Sequence, residues 1–254
     1  MATKMEIFTD NRNDVKVSWP AHSVLIGKSM SGKSHLAATI IDRIDDIFNR
    51  KMETYIVVIL SPHAEIENVL LNGIDEKWTV LYFSIPIFTE QTLDGILQYL
   101  SKIELLGHEI FMLFDDILIK SVGDNSTSMF LVRAFAMIRH HNISLIATVQ
   151  SDSAFLMDIL KNCSFIFVMQ TFGCFQTLSK IIRNFVGLIN VPALIRKIYP
   201  LLEKRAKGSY ILVNISFEAD RNQLFTISNG ILAQTGFTKQ YLNTLSIEND
   251  KNPS

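Results

Sequence analysis

Eight residues constrain this chain more than any others: Gly27-Lys28-Ser29-Met30-Ser31-Gly32-Lys33-Ser34. A glycine, four arbitrary residues and then Gly-Lys-Ser is the phosphate-loop pattern G-x-x-x-x-G-K-[ST]. In such a loop successive backbone N–H groups point inward and cradle a β-phosphate, and glycine supplies the dihedrals that the concavity needs. Lys33 is then the cation on the β- and γ-phosphates, and the Ser34 hydroxyl a ligand of Mg²⁺. A helix opening at Lys33 turns its positive end toward the same anion. By residue frequencies alone the pattern arises in roughly one in a hundred chains of this length. Its setting argues against accident. Ser23-Val24-Leu25-Ile26 suits a buried strand, and His35 to Ile44 has helical spacing, so the required strand–loop–helix order is present.

The pattern demands a parallel sheet around it, and the rest of the chain supplies one. Thr54 to Leu60 is a continuous apolar run ended by Ser61-Pro62, which predicts a strand covered on both faces. Trp78 to Phe83 is another strand, and Thr92 to Leu106 has helical spacing through Leu93, Ile96, Leu97, Leu100 and Ile103. Ile110-Phe111-Met112-Leu113-Phe114 then runs straight into Asp115-Asp116. A buried central strand that delivers an acid to its carboxyl tip is the second element a nucleotide site needs. Asp115 is assigned to the Mg²⁺ shell and Asp116 to the general base that polarises the attacking water. Alone, this stretch reads as a strand ending in a solvated acidic turn; about 80 residues after a phosphate loop, the functional reading prevails.

Ser128 to His140 is predicted helical, with Met129, Phe130, Val132, Phe135, Ala136 and Ile138 buried and Arg133 and Arg139 available. The strand Ile143 to Val149 leads to Gln150, which is either a surface amide or, if this strand lies beside the Asp115 strand, a γ-phosphate sensor. Phe155 to Lys161 is a short helix, Ser164 to Met169 a buried strand, and Phe175 to Pro200 helical with Lys180, Arg183, Arg196 and Lys197 on it. Ser209 to Ile215 and Gln223 to Ile227 form a closing hairpin. The predicted class is therefore α/β, a mainly parallel central sheet with helices on both faces. The expected division is an arm over residues 1–17 with an edge strand through Val15-Lys16-Val17, one domain over 18–233, and a polar tail over 234–254.

Composition narrows the partners. With 48% hydrophobic residues and 6 prolines most of the chain should fold, and a formal net charge of −1 offers no global attraction for nucleic acid or an anionic membrane. Cys163 and Cys174 lie in or beside an apolar run and are expected to be reduced core thiols of an intracellular protein. No apolar run is long enough to span a membrane, and Met1 to Glu6 does not read as a signal peptide.

Four pieces taken together resemble a known group: Trp19-Pro20 before the first strand, Gly27 to Ser34, Leu113-Phe114-Asp115-Asp116, and Arg139-His140-His141-Asn142-Ile143-Ser144 running on to Gln150. In their order and spacing, roughly residues 18 to 215 resemble the FtsK–HerA superfamily of RecA-like (ASCE) P-loop ATPases. Within it the chain looks most like the poxvirus-type genome-packaging ATPases of large DNA viruses, virophages and related transposons. The resemblance implies an ATPase that uses ATP and Mg²⁺ to move double-stranded DNA, as a homo-oligomeric, hexameric ring working with a capsid vertex or portal component. It places such a protein at a viral assembly site inside an infected cell, or with the virion. It also implies that Arg139 is a finger reaching the neighbouring subunit's γ-phosphate and that Gln150 is the sensor. Read without the resemblance, Arg139 is a cation favourably placed at a helix carboxyl end. The chain departs from its relatives in carrying Lys28, Met30 and Ser31 where they have more glycine, and it has no separate basic domain, so DNA must be gripped by ring-lining loops. The competing class is a small phosphotransferase or a nucleotide-dependent switch without a DNA role. The guanine-reading Asn-Lys-x-Asp loop of many switches is not in the sequence.

Overall fold

The computed structural model describes residues 19–42, 55–62, 71, 74, 76–86, 88–104, 106–115, 126–149, 156–169, 174–181, 183–184, 210–214, 223–228 and 234–238. In chain order its elements are β1 (His22–Ile26), α1 (Lys33–Asp42), β2 (Tyr55–Ser61), β3 (Thr79–Ser84), α2 (Glu90–Glu104), β4 (Glu109–Phe114) and α3 (Ser126–Arg139). There follow β5 (Ser144–Val149), α4 (Leu156–Leu160), β6 (Phe165–Met169), α5 (Cys174–Ile181), β7 (Tyr210–Asn214), β8 (Gln223–Ser228) and β9 (Gln234–Thr238).

Among the described residues all nine strands join one sheet in the order β3-β2-β4-β5-β1-β6-β7-β8-β9. From β3 to β6 every pairing is parallel, and β6 to β9 are antiparallel. The strands alternate side chains between two cores. Val24 and Ile26, Val58 and Leu60, Ile110, Met112 and Phe114 face one layer with Leu93, Leu97 and Leu100 of α2, Phe135 and Ile138 of α3, Ile159 of α4 and Leu178 of α5. Leu25, Val57, Ile59, Phe111 and Leu113 face the other, closed by Leu36, Ala37, Ile40 and Ile41 of α1. Helices thus cover both faces, as a parallel sheet of uninterrupted apolar strands requires. This is the α/β, RecA-like arrangement expected from the sequence.

Local chemistry sets the ends of the helices. Thr89 caps α2: its hydroxyl accepts from the Thr92 N–H at 3.2 Å, while the Leu93 N–H donates to its carbonyl at 3.1 Å. The same helix closes where Gly107 takes φ +87° and donates to Glu104 O at 2.8 Å, a left-handed cap that glycine adopts freely. After α3, Asn142 likewise takes the left-handed region, at φ +48°.

The structure corrects the reading of α3 at one position: Ala136 is exposed, and Ala134, Phe135 and Ile138 carry the burial. Stepping by three and four from Phe135 reaches Ile138, whereas Ala136 lies a third of a turn off that stripe. The expected β7–β8 hairpin is present, and β9 pairs with β8 inside the stretch read as a polar tail. The Val15–Val17 strand, Met129 and Phe130 as side chains, Arg196 and Lys197 lie outside the described residues or side chains.

Cys163 is a buried free thiol whose pKa burial pushes up, so it is inert as a nucleophile. His22, at the amino end of β1, is 3% exposed. Burial lowers its pKa from 6.5 to about 4; the Arg139 charge also lowers it, while the Ile143 and Asn162 carbonyls act in the opposite direction. Between those values the unfolded chain takes up a proton that the folded chain refuses, so folding stability falls as pH drops from about 6.5 to about 4. The full loss is about 3 kcal/mol. Urea midpoints measured from about pH 7 to about pH 4 should therefore fall less steeply for His22→Gln than for wild type. Equal slopes would refute this assignment.

Candidate nucleotide-binding site

Because β1, β4 and β5 run parallel, their carboxyl ends share one edge of the sheet, and of the expected site residues Lys33, Ser34 and Asp115 meet there. The strand order places β5 between β1 and β4, so the phosphate loop and the acid are separated by one strand rather than adjacent. The β1–β5 ladder continues into the loop: the Gly27 N–H donates to Val149 O at 3.1 Å. Gly27 is confined. A Cβ there would lie 2.6 Å from Ser31 Oγ and 2.7 Å from Met169 Cβ of β6. The loop then turns through Met30 at φ +61° and Gly32 at φ +94° before α1 begins. Met30 is 80% exposed, so a non-glycine residue holds a left-handed conformation at the apex without burying its side chain. Such local strain costs on the order of 1 kcal/mol and clusters at functional sites. Lys28 and Ser29 are exposed beside it, and Ser31 is buried with its Oγ lacking a hydrogen-bond partner. A buried hydroxyl without an acceptor or donor is costly. An anion seated in the loop would supply the missing partner.

Lys33 opens α1 and is 7% exposed. Its ammonium donates to Gly27 O and Lys28 O, both at 2.9 Å, and so lies folded against the loop that it belongs to. Ser34 points the other way, its hydroxyl donating to Asp115 Oδ1 at 3.4 Å. Asp115 directly follows β4, is 5% exposed, and its N–H donates to Leu60 O at 2.9 Å. The Thr148 hydroxyl reaches the same Oδ1 at 3.5 Å. A serine hydroxyl facing a buried carboxylate is a hard-oxygen pair suited to Mg²⁺, which is held by one or two carboxylates together with substrate phosphates rather than by an all-protein cage. The residues present fit the metal and the triphosphate that the sequence implies.

Two contributors went unread in the sequence. Registers Leu60↔Phe114 and Phe114↔Ala147 make Ser61, Asp115 and Thr148 the next transverse row, and all three are buried. Strand alternation turns this row to the α1 face, the face of Ser34. The signal for Thr148 was a hydroxyl inside the apolar run Leu145 to Val149. Asp116 and Gln150 lie outside the described residues.

The structure brings Lys33, Ser34 and Asp115 together and holds Arg139 apart from them. Arg139 ends α3 at the opposite, amino edge of the sheet, next to the start of β5. The length of β5, six residues, separates it from the phosphate-loop edge by about 20 Å. Arg139 is exposed there.

No protein-family model matches the chain, and no curated protein matches it by sequence. Solved structures do match it. The chain is similar to B204, the DNA-packaging ATPase from Sulfolobus turreted icosahedral virus, with TM-score 0.56 and 14% identity over 84% of this chain and 98% of that one. It is also similar to the genome-packaging NTPase B204 from Sulfolobus turreted icosahedral virus 2 in complex with AMPPCP, with TM-score 0.54, 14% identity and the same coverages. The ATPγS complex of that NTPase gives TM-score 0.53 and 15% identity over 83% and 98%. At this identity the likeness is one of fold alone, the fold of these viral packaging ATPases.

Gly27→Ala tests the loop. Its Cβ must displace either Ser31 or the backbone-anchored Met169 Cβ, so the cradle shifts. ATP-analogue affinity measured by titration should fall at least about tenfold, a loss of 1.4 kcal/mol, with the circular dichroism spectrum unchanged. Wild-type affinity would show that Gly27 is not part of the cradle.

Proposed function

We propose that this chain is an ATP-driven double-stranded DNA translocase that packages a viral genome into a preformed capsid, acting as a homo-oligomeric ring. The observation that carries the proposal is the opposed placement of its charges. Lys33, Ser34 and Asp115 stand at the carboxyl edge of the sheet, and Arg139 is exposed at the amino edge. The fold likeness to a viral DNA-packaging ATPase, over 98% of that chain, supports the same reading.

In the proposed site the Gly27 to Ser34 amides take the β-phosphate and Lys33 exchanges its Gly27 and Lys28 carbonyls for phosphate oxygens. Ser34 and Asp115 would hold Mg²⁺, whose charge neutralises the triphosphate when bound. Thr148, through Asp115 Oδ1, fixes the carboxylate. Asp116 accepts the proton of the water that attacks the γ-phosphorus as the bond to the β-phosphate oxygen breaks and ADP leaves. Gln150 senses the γ-phosphate. Arg139 stabilises the equatorial oxygens in the neighbouring subunit's site, an effect worth about 10³ to 10⁵ in rate where an arginine finger has been measured. With a net charge of −1, DNA contact falls to loops lining the ring rather than to a basic surface.

Two measurements test this. ATP turnover should rise on adding duplex DNA, with the protein oligomeric in ATP by mass determination; a monomer indifferent to DNA would favour a phosphotransferase or switch. Arg139→Ala should bind ATP normally yet hydrolyse at least about a thousandfold more slowly as a homogeneous ring. Mixing it with Lys33→Ala subunits should partly restore turnover, since some interfaces then join an intact Lys33 to an intact Arg139. Wild-type turnover by Arg139→Ala, or no rescue in verified mixed rings, would remove the trans role.

A further inference from the structure

The turn that ends α3 is held by side chains from the opposite end of the strand that carries the phosphate loop. Arg139 closes the helix, and the chain reverses through His140 and His141, whose N–H groups donate to Met137 O at 2.9 Å and Ile138 O at 3.0 Å. It then passes Asn142 in the left-handed region and enters β5. Two carbonyls of this turn are taken by side chains that precede or open β1. The Trp19 Nε1–H donates to Asn142 O at 3.0 Å. His22 Nε2 lies 3.1 Å from Ile143 O, and because a carbonyl only accepts, Nε2 carries the proton. The backbone adds two bonds, Ala21 N–H to Ser144 Oγ at 2.9 Å and Leu145 N–H to Ala21 O at 3.0 Å.

Both donors are themselves fixed. The Trp19 indole packs against Tyr55 at 5.7 Å and Phe111 at 6.5 Å between ring centroids. His22 is edge-on to Phe135 at 6.1 Å, and Phe135 lies on α3 one turn before Arg139. His22 therefore touches the helix before Arg139 and the strand lead-in after it. A structural role alone would be met by an apolar residue beside Phe135; a donor aimed at a turn carbonyl serves the geometry of that turn.

We propose that Trp19 and His22 are positioning residues for Arg139, setting the turn from which the arginine extends toward the neighbouring subunit. This rests on the trans role proposed for Arg139. It adds that one strand, β1, holds the phosphate loop at its carboxyl end and the frame of the arginine at its amino end. The nucleotide that a subunit binds and the arginine that it lends are then mounted on the same rigid element.

The test compares Trp19→Phe, His22→Leu and His22→Gln, each in the wild-type and in the Arg139→Ala background. Trp19→Phe keeps the aromatic packing and loses the N–H; His22→Gln keeps a donor that His22→Leu lacks. Trp19→Phe and His22→Leu should lower kcat at saturating ATP about five- to tenfold, with ATP-analogue Kd unchanged, as expected for one lost hydrogen bond. His22→Gln should retain most of the wild-type kcat. On Arg139→Ala none should lower kcat further, because the group they position is gone. The same fold-loss in both backgrounds, or unchanged kcat in Trp19→Phe while Arg139→Ala is slow, would overturn the positioning role and leave the trans arginine standing. Wild-type kcat in Arg139→Ala itself would overturn the arginine role and the positioning role with it. If His22→Leu does not fold, by its thermal midpoint, Trp19→Phe decides the matter alone.

Discussion

The parallel pairing of β1 with β5 is the constraint on which the rest of this structure depends. Its register runs from His22↔Leu145 to Ile26↔Val149, and backbone bonds extend it at both ends, to Gly27 at one and to Ala21 at the other. Both strands are buried along their whole length, so a one-residue slip would throw every side chain onto the wrong core and is strongly excluded. That rigidity is what allows one strand to locate two distant features. The phosphate loop leaves β1 at a height set by Val149, and the Arg139 turn meets it at a height set by Ser144.

The same register explains why a charged group lies at the end of an apolar strand. Asp115 sits one step past Phe114, in line with Ser61 and Thr148, on the face that α1 covers. An apolar row there would pack more simply, and the carboxylate is costly to bury without partners. The structure surrounds it instead with hydroxyls from Ser34 and Thr148 at long range and a sheet-like bond from its N–H to Leu60 O. Bonds of 3.4 and 3.5 Å tie its Oδ1 to α1 on one side and to β5 on the other.

Much of this was legible in the sequence because the relevant signals are local. The phosphate loop is a contiguous pattern, and the strands β2 and β4 carry continuous apolar runs that only a sheet covered on both faces accommodates. What escaped depends on neighbours distant in the chain. Gln234–Thr238 has strand-favouring Thr235, Phe237 and Thr238 but is short and broken by Gly236, so its own sequence signal is weak; pairing with β8 provides the reason. Ala136 was assigned to the core by its composition, but the stripe through Phe135 and Ile138 passes beside it. Trp19 and His22 are single polar-tipped residues whose partners lie more than a hundred positions away, Asn142 and Ile143, and no spacing rule joins them. Thr148 gains meaning only once β5 is known to lie between β1 and β4.

That intervening strand also bears on why assembly and hydrolysis would be inseparable in the proposed motor. With β5 inserted, its carboxyl end lies between the phosphate loop and Asp115, and its amino end begins at the Arg139 turn. A strand's two ends are separated by its length, about 20 Å for β5, well beyond the reach of an arginine side chain. On the proposed reading a lone subunit can seat ATP but lacks the cation that lowers the barrier to cleaving it. The missing charge would arrive only when a second copy presented its amino edge to the first copy's carboxyl edge. Two different edges in contact make a head-to-tail interface, and such interfaces generate rings when their rotation closes. The sheet order would then do more than support a nucleotide site: it would suppress idle hydrolysis by free subunits and reserve fast turnover for the assembled ring.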